Sequence, residues 1–408
     1  MRTDPPLEDS PASWVRLALS LSIAMVGNIG MWAIIVILPA VQVEFAVDRA
    51  GASVPYALTM AGFALGNWQI GRIVDRYGIT IALIGGALLL AGGLAVAAAT
   101  SSLLVFGLLH VLIGFGSAAS FGPLIADISH WFLRRRGIAV AIVASGNYLA
   151  GAIWPLVLAP VLAGQGWRAA YLLLAVIVLA VVIPLSLTLR RPGPARSAIA
   201  PVTPPHVGQV SFSPTTLQLL LMVAGVGCCV AMAMPQVHII AYCVDLGFGA
   251  GVGAQMLSLM LLGGVVSRLI SGLLADVLGG VRTLLIGSVL QMTALFLFLP
   301  ADGLVSLYLV SAIFGLSQGG IVPSYAVIVR EYMPAAEAGA RVGAVIMATI
   351  IGMALGGWMS GWIYDVTGTY RMAFINGIVW NGLNVAILAL ILWNATGGRR
   401  RRLDPVAV

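Results

Sequence analysis

The side chain best placed to do chemistry is Arg268, a cation inside a long apolar segment. It lies eight residues before Asp276, about 12 Å from the end of that segment at the rise of an α-helix. Its helical neighbours three and four residues away are not acidic; they are Gly264, Val265, Ser271 and Gly272. An unpaired guanidinium is costly in apolar surroundings, and its planar fork fits a carboxylate through two hydrogen bonds. Arg268 therefore predicts a site for a small organic anion. A side chain that reaches the aqueous surface or pairs with a distant acid is the alternative.

Two histidines also lie in apolar segments and could exchange protons. They are His110 and His238, and an imidazole titrates near neutral pH. We interpret both as candidates for proton coupling, and His238 also as a candidate contact to the bound molecule. For each of them, a hydrogen-bonded packing role is the alternative.

Other polar and aromatic side chains interrupt the apolar segments near their middles. The candidate contacts to a bound molecule are Asn28, Trp32, Asn147, Tyr148, Ser317, Gln318 and Tyr325. Hydrogen bonding between helices is the alternative for each. The cysteines, Cys228, Cys229 and Cys243, fall in one apolar segment without the spacing of a metal site, so we expect packing roles, no metal and no cofactor.

Two motif matches carry no catalytic prediction. Gly315 to Gly319 fits G-x-S-x-G, but a nucleophile elbow needs a strand, a turn and a helix, whereas this segment is apolar and helical in pattern. No phosphate-binding GxxxxGK[ST] motif occurs. We therefore expect no enzyme; a polytopic membrane enzyme that uses Ser317 is a remote alternative.

The composition identifies the elements that must position these residues. Hydrophobic residues make up 60% of the 408 positions and charged residues 9%, whereas a soluble domain has about a quarter charged. The net charge of +7 comes without a basic stripe, so no nucleic-acid partner is expected. Apolar runs long enough to cross a bilayer lie near 15–43, 51–73, 79–99, 102–128, 137–163, 168–189, 215–244, 251–274, 281–300, 303–329, 338–363 and 371–394. The pattern predicts an all-α integral membrane protein with twelve transmembrane helices, embedded in a lipid bilayer.

A polar stretch divides these runs into two groups of six. Between Arg190 and Thr216 stand six prolines, at 192, 194, 201, 204, 205 and 214. We predict an N-terminal six-helix bundle over 1–189, an extended cytoplasmic linker over 190–214, and a C-terminal bundle with a basic cytoplasmic tail over 215–408.

The arginines predict the orientation. With the N-terminus inside, seventeen lie in cytoplasmic segments, at positions 2, 16, 72, 76, 134–136, 190, 191, 196, 282, 330, 341 and 399–402. Three lie in outside loops: Arg49, Arg168 and Arg371. By the positive-inside rule, both termini are cytoplasmic, and the first apolar run is too long for a signal peptide.

The two halves repeat each other. Gly71, Asp75 and Gly78 recur as Gly272, Asp276 and Gly279, an offset of 201 residues. Ser117 and Pro123 recur as Ser317 and Pro323 at an offset of 200, whereas Arg268 has Asn67 as its counterpart. Duplicated bundles with a site between them are typical of transporters.

These motifs resemble a known family. The segment GxxxDRxG at 71–78, with its copy at 272–279, resembles the signature of the major facilitator superfamily. Three further segments resemble its monocarboxylate and oxalate–formate branch; they are Trp131–Ala139, Gly166–Tyr171 and Val237–Gly247.

The resemblance implies two pseudo-symmetric six-helix bundles, a carboxylate bound by Arg268, and a gate on the inner face. The residues implied in gating are Gly71, Asp75, Arg76, Arg135, Gly272 and Asp276. This chain has Gly264 where animal monocarboxylate carriers have an aspartate, and no cation between Gly343 and Trp362, where oxalate–formate exchangers have a lysine. One cation favours a singly charged anion.

The sequence thus predicts a secondary transporter of a small organic anion, most simply a monocarboxylate, coupled to protons or to anion exchange. Helices 1, 4, 7 and 10 would line its path. Export of drug-like or amphiphilic compounds is the alternative. We expect a functional monomer in a bacterial-type inner membrane.

The predicted orientation can be tested by cysteine accessibility. A membrane-impermeant thiol reagent should reach Thr367→Cys from outside and Ser197→Cys only from inside, because the arginine bias places these positions on opposite faces. The reverse accessibility would overturn the orientation.

Overall fold

The computed structural model describes residues 8–190, 212–334 and 337–403. Within these ranges the protein is helical and has no β-strand, which confirms the all-α prediction. Most of the predicted linker, residues 191–211, lies outside the described residues, as do residues 1–7 and the side chains of the basic tail at 399–402.

The described ranges hold fourteen helical segments in chain order. They are α1 Pro11–Gly27, α2 Ile29–Glu44, α3 Arg49–Tyr77, α4 Ile79–Ala99, α5 Leu103–Ala118, α6 Gly122–Ile128, α7 Arg136–Thr188, α8 Pro214–Asp245, α9 Ala250–Leu278, α10 Gly280–Phe298, α11 Leu304–Gln318, α12 Ile321–Tyr332, α13 Ala338–Thr367 and α14 Tyr370–Leu403.

Within the described residues, ten helices, some of them joined pairs, are long and apolar enough to cross a membrane. The pairs α1 with α2, α5 with α6 and α11 with α12 each form one such span. The helix α7 is 53 residues long and breaks at Gly166, whose φ of 79° only glycine adopts readily. We call the parts before and after this break the first and second arms of α7. The breaks at Asn28 and near 119–121 and 319–320 were not predicted.

The internal repeat extends to the backbone. Gly78 ends α3 at φ 83° and ψ 162°, and Gly279 ends α9 at φ 81° and ψ 163°. Each glycine joins its helix directly to the next one through a turn that other residues strain to adopt. The offset of 201 residues therefore marks the same turn in both halves.

Small residues let helices pack backbone to backbone inside each half. A β-carbon on Gly114 of α5 would lie 2.0 Å from the carbonyl oxygen of Thr59 in α3. A β-carbon on Gly315 of α11 would lie 2.3 Å from the carbonyl oxygen of Met260 in α9. Close helix packing at glycine is common inside membranes, because the hydrophobic effect does not drive helices together in lipid and van der Waals contact must do so.

The protein has two ends, which we name by the helix termini they hold. The N-face is the end where α1 begins and where Gly78 and Gly279 lie; the far face is the end where α3 begins and α8 ends. Between the halves, α3 packs on α13 and α7 packs on α9. These contacts enclose the site described next.

A buried ion pair joins three helical segments of the first half at the N-face. Arg16 of α1 donates to both carboxylate oxygens of Asp127 in α6, at 2.7 and 2.8 Å, and to the carbonyl oxygen of Leu189. The Arg16 side chain is only 5% exposed. The arginine count treated it as a loop charge, but it joins three segments of the bundle.

Candidate functional site

A cavity of about 110 Å³ lies between the two halves, and we call it the central cavity. Its lining is Met31, Trp32, Tyr56, Met60, Phe63, Phe121, Asn147, Tyr148, Cys229, Met232, Gln236, Arg268, Val322, Ile346, Thr349, Ile350 and Met353. Among the residues that the structure describes, Arg268 is the one charged residue in this lining, and its charge therefore dominates the electrostatics of the cavity.

Arg268 is held by main-chain carbonyls and an aromatic ring. Its Nη1 donates to the carbonyl oxygen of Ala144 at 2.6 Å, and its Nε donates to that of Gly319 at 3.3 Å. Its Cζ lies 4.2 Å from the centre of the Tyr148 ring. None of these groups is a carboxylate, so among the described residues no counter-ion neutralises the guanidinium, and its charge remains available to an anionic ligand.

The first arm of α7 presents two neighbours of Arg268 to the cavity. Trp32 of α2 donates from Nε1 to the main-chain and side-chain oxygens of Asn147, both at 2.9 Å. This bond orients the Asn147 amide, because its oxygen is used and its NH₂ group remains as a donor. Asn147 therefore places a second donor in the same cavity, and the adjacent Tyr148 places its ring against the guanidinium.

Besides His238, four predicted contacts lie outside the cavity lining. Asn28 donates to the carbonyl oxygens of Ala24 and Ser120 where α1 meets α2. Tyr325 donates to the Asn384 side chain at 3.0 Å. The remaining two are Ser317, which donates to the Phe314 carbonyl, and Gln318, which accepts from Gln236 at 2.5 Å. These bonds are the interhelical or local packing that the alternative interpretation expected.

Both histidines are fully buried and lie away from the central cavity. His110 bonds the carbonyl oxygen of Phe106 at 2.7 Å and the hydroxyl of Tyr171 at 3.1 Å. His238 bonds the carbonyl oxygen of Gly357 through Nε2 at 2.7 Å and the hydroxyl of Tyr370 through Nδ1 at 2.9 Å. Since a carbonyl only accepts, Nε2 of His238 donates, and Nδ1 of the neutral ring accepts from Tyr370.

A second group of polar side chains joins the halves at the far face. We call Arg49, Asp245, Tyr364, Asp365 and Tyr370 the far-face cluster. Arg49, from the first half, donates to both oxygens of Asp245 at 3.3 and 3.1 Å and to the Tyr370 hydroxyl at 2.7 Å. Its Cζ also lies 4.6 Å from the Tyr364 ring centre. The Arg49 side chain is only 8% exposed.

Asp365 of the second half also bonds the backbone of α3 in the first half. Its carboxylate accepts from the main-chain N–H groups of Arg49 at 2.9 Å and of Ala50 at 2.7 Å. These are the first two residues of α3, where unsatisfied amides and the helix dipole favour an anion. The far face is therefore closed by charge-assisted bonds between the two halves.

The residues predicted to form a gate lie on the N-face and are not joined across it. Asp75 and Asp276 are exposed, and no ion pair is described for either. A β-carbon on Gly71 or Gly272 would meet nothing within 4 Å, so neither glycine supports close helix packing in this conformation. Arg76 and Arg135 lie over rings of their own half, Tyr77 and Trp14. The gating role stays a prediction.

Sequence reasoning missed two kinds of residue. It counted Arg49 as a loop arginine, although the side chain is buried across the interface. It also passed over cavity residues such as Gln236, Thr349 and Tyr56. Gln236 could have been found from its polarity, because it lies in a largely apolar helix close to His238, which was singled out.

Comparison with known families gives one match over most of the chain. The sequence profile of the Major Facilitator Superfamily matches residues 20–334 and, in a second match, residues 219–404. The two matches overlap, in keeping with the internal repeat.

Similar proteins are transporters by name. The chain is 26% identical to the MFS transporter asaE of Aspergillus flavus over 68% of its own length and 63% of that protein, less than two thirds of the relative. It is 31% identical to human monocarboxylate transporter 11 over 48% of this chain and 42% of the relative. It is 26% identical to rat monocarboxylate transporter 13, over 79% and 75%.

Solved structures share the fold. A bacterial homolog of the human lysosomal transporter Spinster superposes with a TM-score of 0.71 at 13% identity, covering 98% of this chain and 99% of that one. The Escherichia coli fucose:proton symporter FucP gives 0.62 at 16% identity, covering 93% and 98%.

The far-face cluster predicts a measurable change in accessibility. Arg49→Gln should raise the rate at which an impermeant thiol reagent, added at the far face, modifies Met353→Cys in a background without native cysteines. Each lost charge-assisted bond is worth about 1.5–3 kcal/mol, so we expect an increase of about 10-fold or more.

Arg168→Gln is the matched control. Arg168 lies at the same face and pairs with Glu44 of its own half, so its loss should leave the labelling rate unchanged. Equal rates for Arg49→Gln and Arg168→Gln would show that the far-face cluster does not hold this face closed.

Proposed function

Because the chain belongs to the Major Facilitator Superfamily, we propose that it carries a small organic anion, specifically a monocarboxylate, across the membrane by alternating access. A transporter is the function that the family itself establishes. The observation that supports an anionic substrate is Arg268, the single charged side chain among the described residues of the central cavity.

The bonding around Arg268 favours a carboxylate as the missing counter-ion. Two carbonyls and the Tyr148 ring position the guanidinium but do not neutralise it. A carboxylate could bond Nη2 and reach the Asn147 amide, forming charge-assisted bonds in a setting of low dielectric. With one cation present, a dianion would leave one charge unpaired, which supports a singly charged substrate. The names of monocarboxylate transporters 11 and 13 point the same way.

We infer twelve membrane spans in two bundles, 1–189 and 215–408. Ten spans follow from length and composition, and α7 supplies two if each arm crosses separately. The remaining span would be α3, which is 29 residues long and carries charge near its N-face end. An even number of spans places both termini on the same side, which we propose is the cytoplasmic side of a plasma membrane. Because one chain contributes both bundles around the central cavity, we propose that a single chain carries out transport.

The two faces differ in a way that supports alternating access. The far-face cluster joins the halves, while the predicted gate at Asp75 and Asp276 makes no described bond across the N-face. In our proposal this conformation is closed at the far face, and the N-face gate forms when the far-face cluster separates. Rocking of one half against the other would then expose the central cavity to each side in turn.

Proton coupling and anion exchange are both compatible with this cycle. We favour His238 over His110 for coupling because it bonds Tyr370, which also accepts from Arg49 of the opposite half. A protonated ring could not accept from Tyr370 through Nδ1, so protonation would disturb the far-face cluster. His110 bonds only groups of its own half.

Export of amphiphilic compounds is the second candidate. The observation that favours it is the apolar lining, with four methionines and five aromatic rings around the cavity. Competition by uncharged amphiphiles as strong as that by carboxylates would support it over anion transport.

Arg268→Gln should abolish binding of the substrate anion without preventing folding, because it removes a buried charge. The loss of a charge-assisted pair corresponds to a decrease in affinity of roughly 10- to 150-fold. Arg268→Lys should restore only part of it, since an ammonium does not reproduce the planar fork. Calorimetric titration of the purified forms with a monocarboxylate measures both effects.

Arg282→Gln provides the charge control, since Arg282 is exposed at the start of α10. Unchanged affinity in Arg268→Gln, with the control also unchanged, would make Arg268 structural and remove the physical basis for an anionic substrate.

Asp75→Asn should lower the rate of transport while leaving membrane insertion and equilibrium binding intact. In the far-face-closed conformation Asp75 is exposed and forms no ion pair with the residues that the structure describes, so we expect its charge to act when the N-face closes. Uptake into proteoliposomes measures the rate, with Asp302→Asn, an exposed carboxylate of the far face, as control. Wild-type turnover in Asp75→Asn would contradict a gating role.

A further inference from the structure

The central cavity restricts the rest of the substrate as well as its charge. Besides Arg268, the described lining has polar groups on seven side chains: Trp32, Tyr56, Asn147, Tyr148, Cys229, Gln236 and Thr349. Thr349 donates to the Ile346 carbonyl at 2.7 Å, and the Gln236 amide donates to Gln318. The Asn147 NH₂ group makes no described bond, and Asn147 is next in the chain to Tyr148, whose ring lies against the Arg268 guanidinium at one end of the cavity. One carboxylate would satisfy that end of the cavity.

The remainder of the lining is apolar and polarizable. It contains four methionines, Met31, Met60, Met232 and Met353, and the rings of Tyr56, Phe63 and Phe121. A second carboxylate placed among these groups would lose its hydration without gaining a cationic partner, which is unfavourable. Methionine thioethers, by contrast, adapt their shape and make favourable contacts with aromatic rings.

We infer that the transported anion is a monocarboxylate with a compact apolar body, either an aromatic ring or a branched aliphatic group. This inference rests on the proposed function and adds the chemistry of the substrate beyond its carboxylate. Arg268 and Asn147 hold the carboxylate, and the methionines and rings enclose the body. A dicarboxylate is selected against because the described lining residues include no second cation.

A ligand series at constant charge tests the inference on the purified full-length chain. The probes are acetate, 3-methylbutanoate, benzoate, lactate and succinate, with benzamide as the uncharged analogue, titrated by calorimetry. Arg268→Gln serves as the blank for partition into detergent. We expect benzoate and 3-methylbutanoate to bind at least about 10-fold more tightly than acetate and lactate, because they bury more apolar surface. Succinate and benzamide should bind more weakly than benzoate.

The outcomes separate the two proposals. Acetate or lactate binding as tightly as benzoate, with Arg268→Gln inactive, would overturn the apolar body but leave anion transport standing. Benzamide binding as tightly as benzoate would overturn the carboxylate requirement and favour the exporter. No difference between wild type and Arg268→Gln for any probe would overturn both proposals.

A variant of the lining gives an independent readout. Met353→Gln keeps the length of the side chain but makes it polar, so benzoate affinity should fall by about 3- to 10-fold while acetate affinity changes by less than about twofold. Met372→Gln, at an exposed position of α14, is the matched control. If the variant weakens both ligands equally, the methionine does not contact the body of the substrate and the assignment of the lining fails. If Met353→Gln does not fold, the ligand series on the wild-type chain still tests whether the substrate has an apolar body.

Discussion

The arrangement at the centre of this protein follows from the difficulty of holding a guanidinium inside a bilayer. Arg268 meets this constraint with dipoles and a π-face instead of an acid, through Ala144, Gly319 and Tyr148. A buried carboxylate would stabilise the cation more strongly but would also cancel the charge that attracts an anion. Because Ala144 belongs to one half and Gly319 to the other, the supporting groups also depend on how the halves are set against each other.

The duplicated halves share a backbone and differ in chemistry. The glycine turns at Gly78 and Gly279 have nearly the same dihedral angles, and α3 with α5 packs much as α9 with α11 does. Yet Asn67, the counterpart of Arg268, donates to its own helix at Phe63. The repeat therefore gives the two halves a similar backbone, and a difference at one position, Arg268 against Asn67, places a charge in the second half only. The backbone of the two halves is therefore pseudo-symmetric, whereas the charge in the central cavity is not.

Much of the fold could be predicted from the sequence because hydropathy and glycine position are local properties. Apolar runs gave the helices, and Arg268, Asn147, Tyr148 and Trp32, which stand out as polar or aromatic within those runs, all line the central cavity. The methionines of the lining could not be found this way, since a cavity-facing methionine and a lipid-facing one have the same hydropathy. Arg49 and Asp245 are 196 residues apart, and nothing in one sequence pairs them. Breaks inside spans, such as the one at Asn28, depend on tertiary contacts that periodicity does not record.

The bonds from Asp365 to the backbone of α3 have a consequence for how this interface can evolve. The donors are main-chain N–H groups of Arg49 and Ala50, which every amino acid except proline provides. Substitutions at positions 49 and 50 can therefore retain these two backbone bonds to Asp365. A neutral replacement of Asp365, in contrast, removes the charge that strengthens both of them. Among divergent descendants of this chain, the acid at 365 should thus vary less than the residue at 50 that it binds.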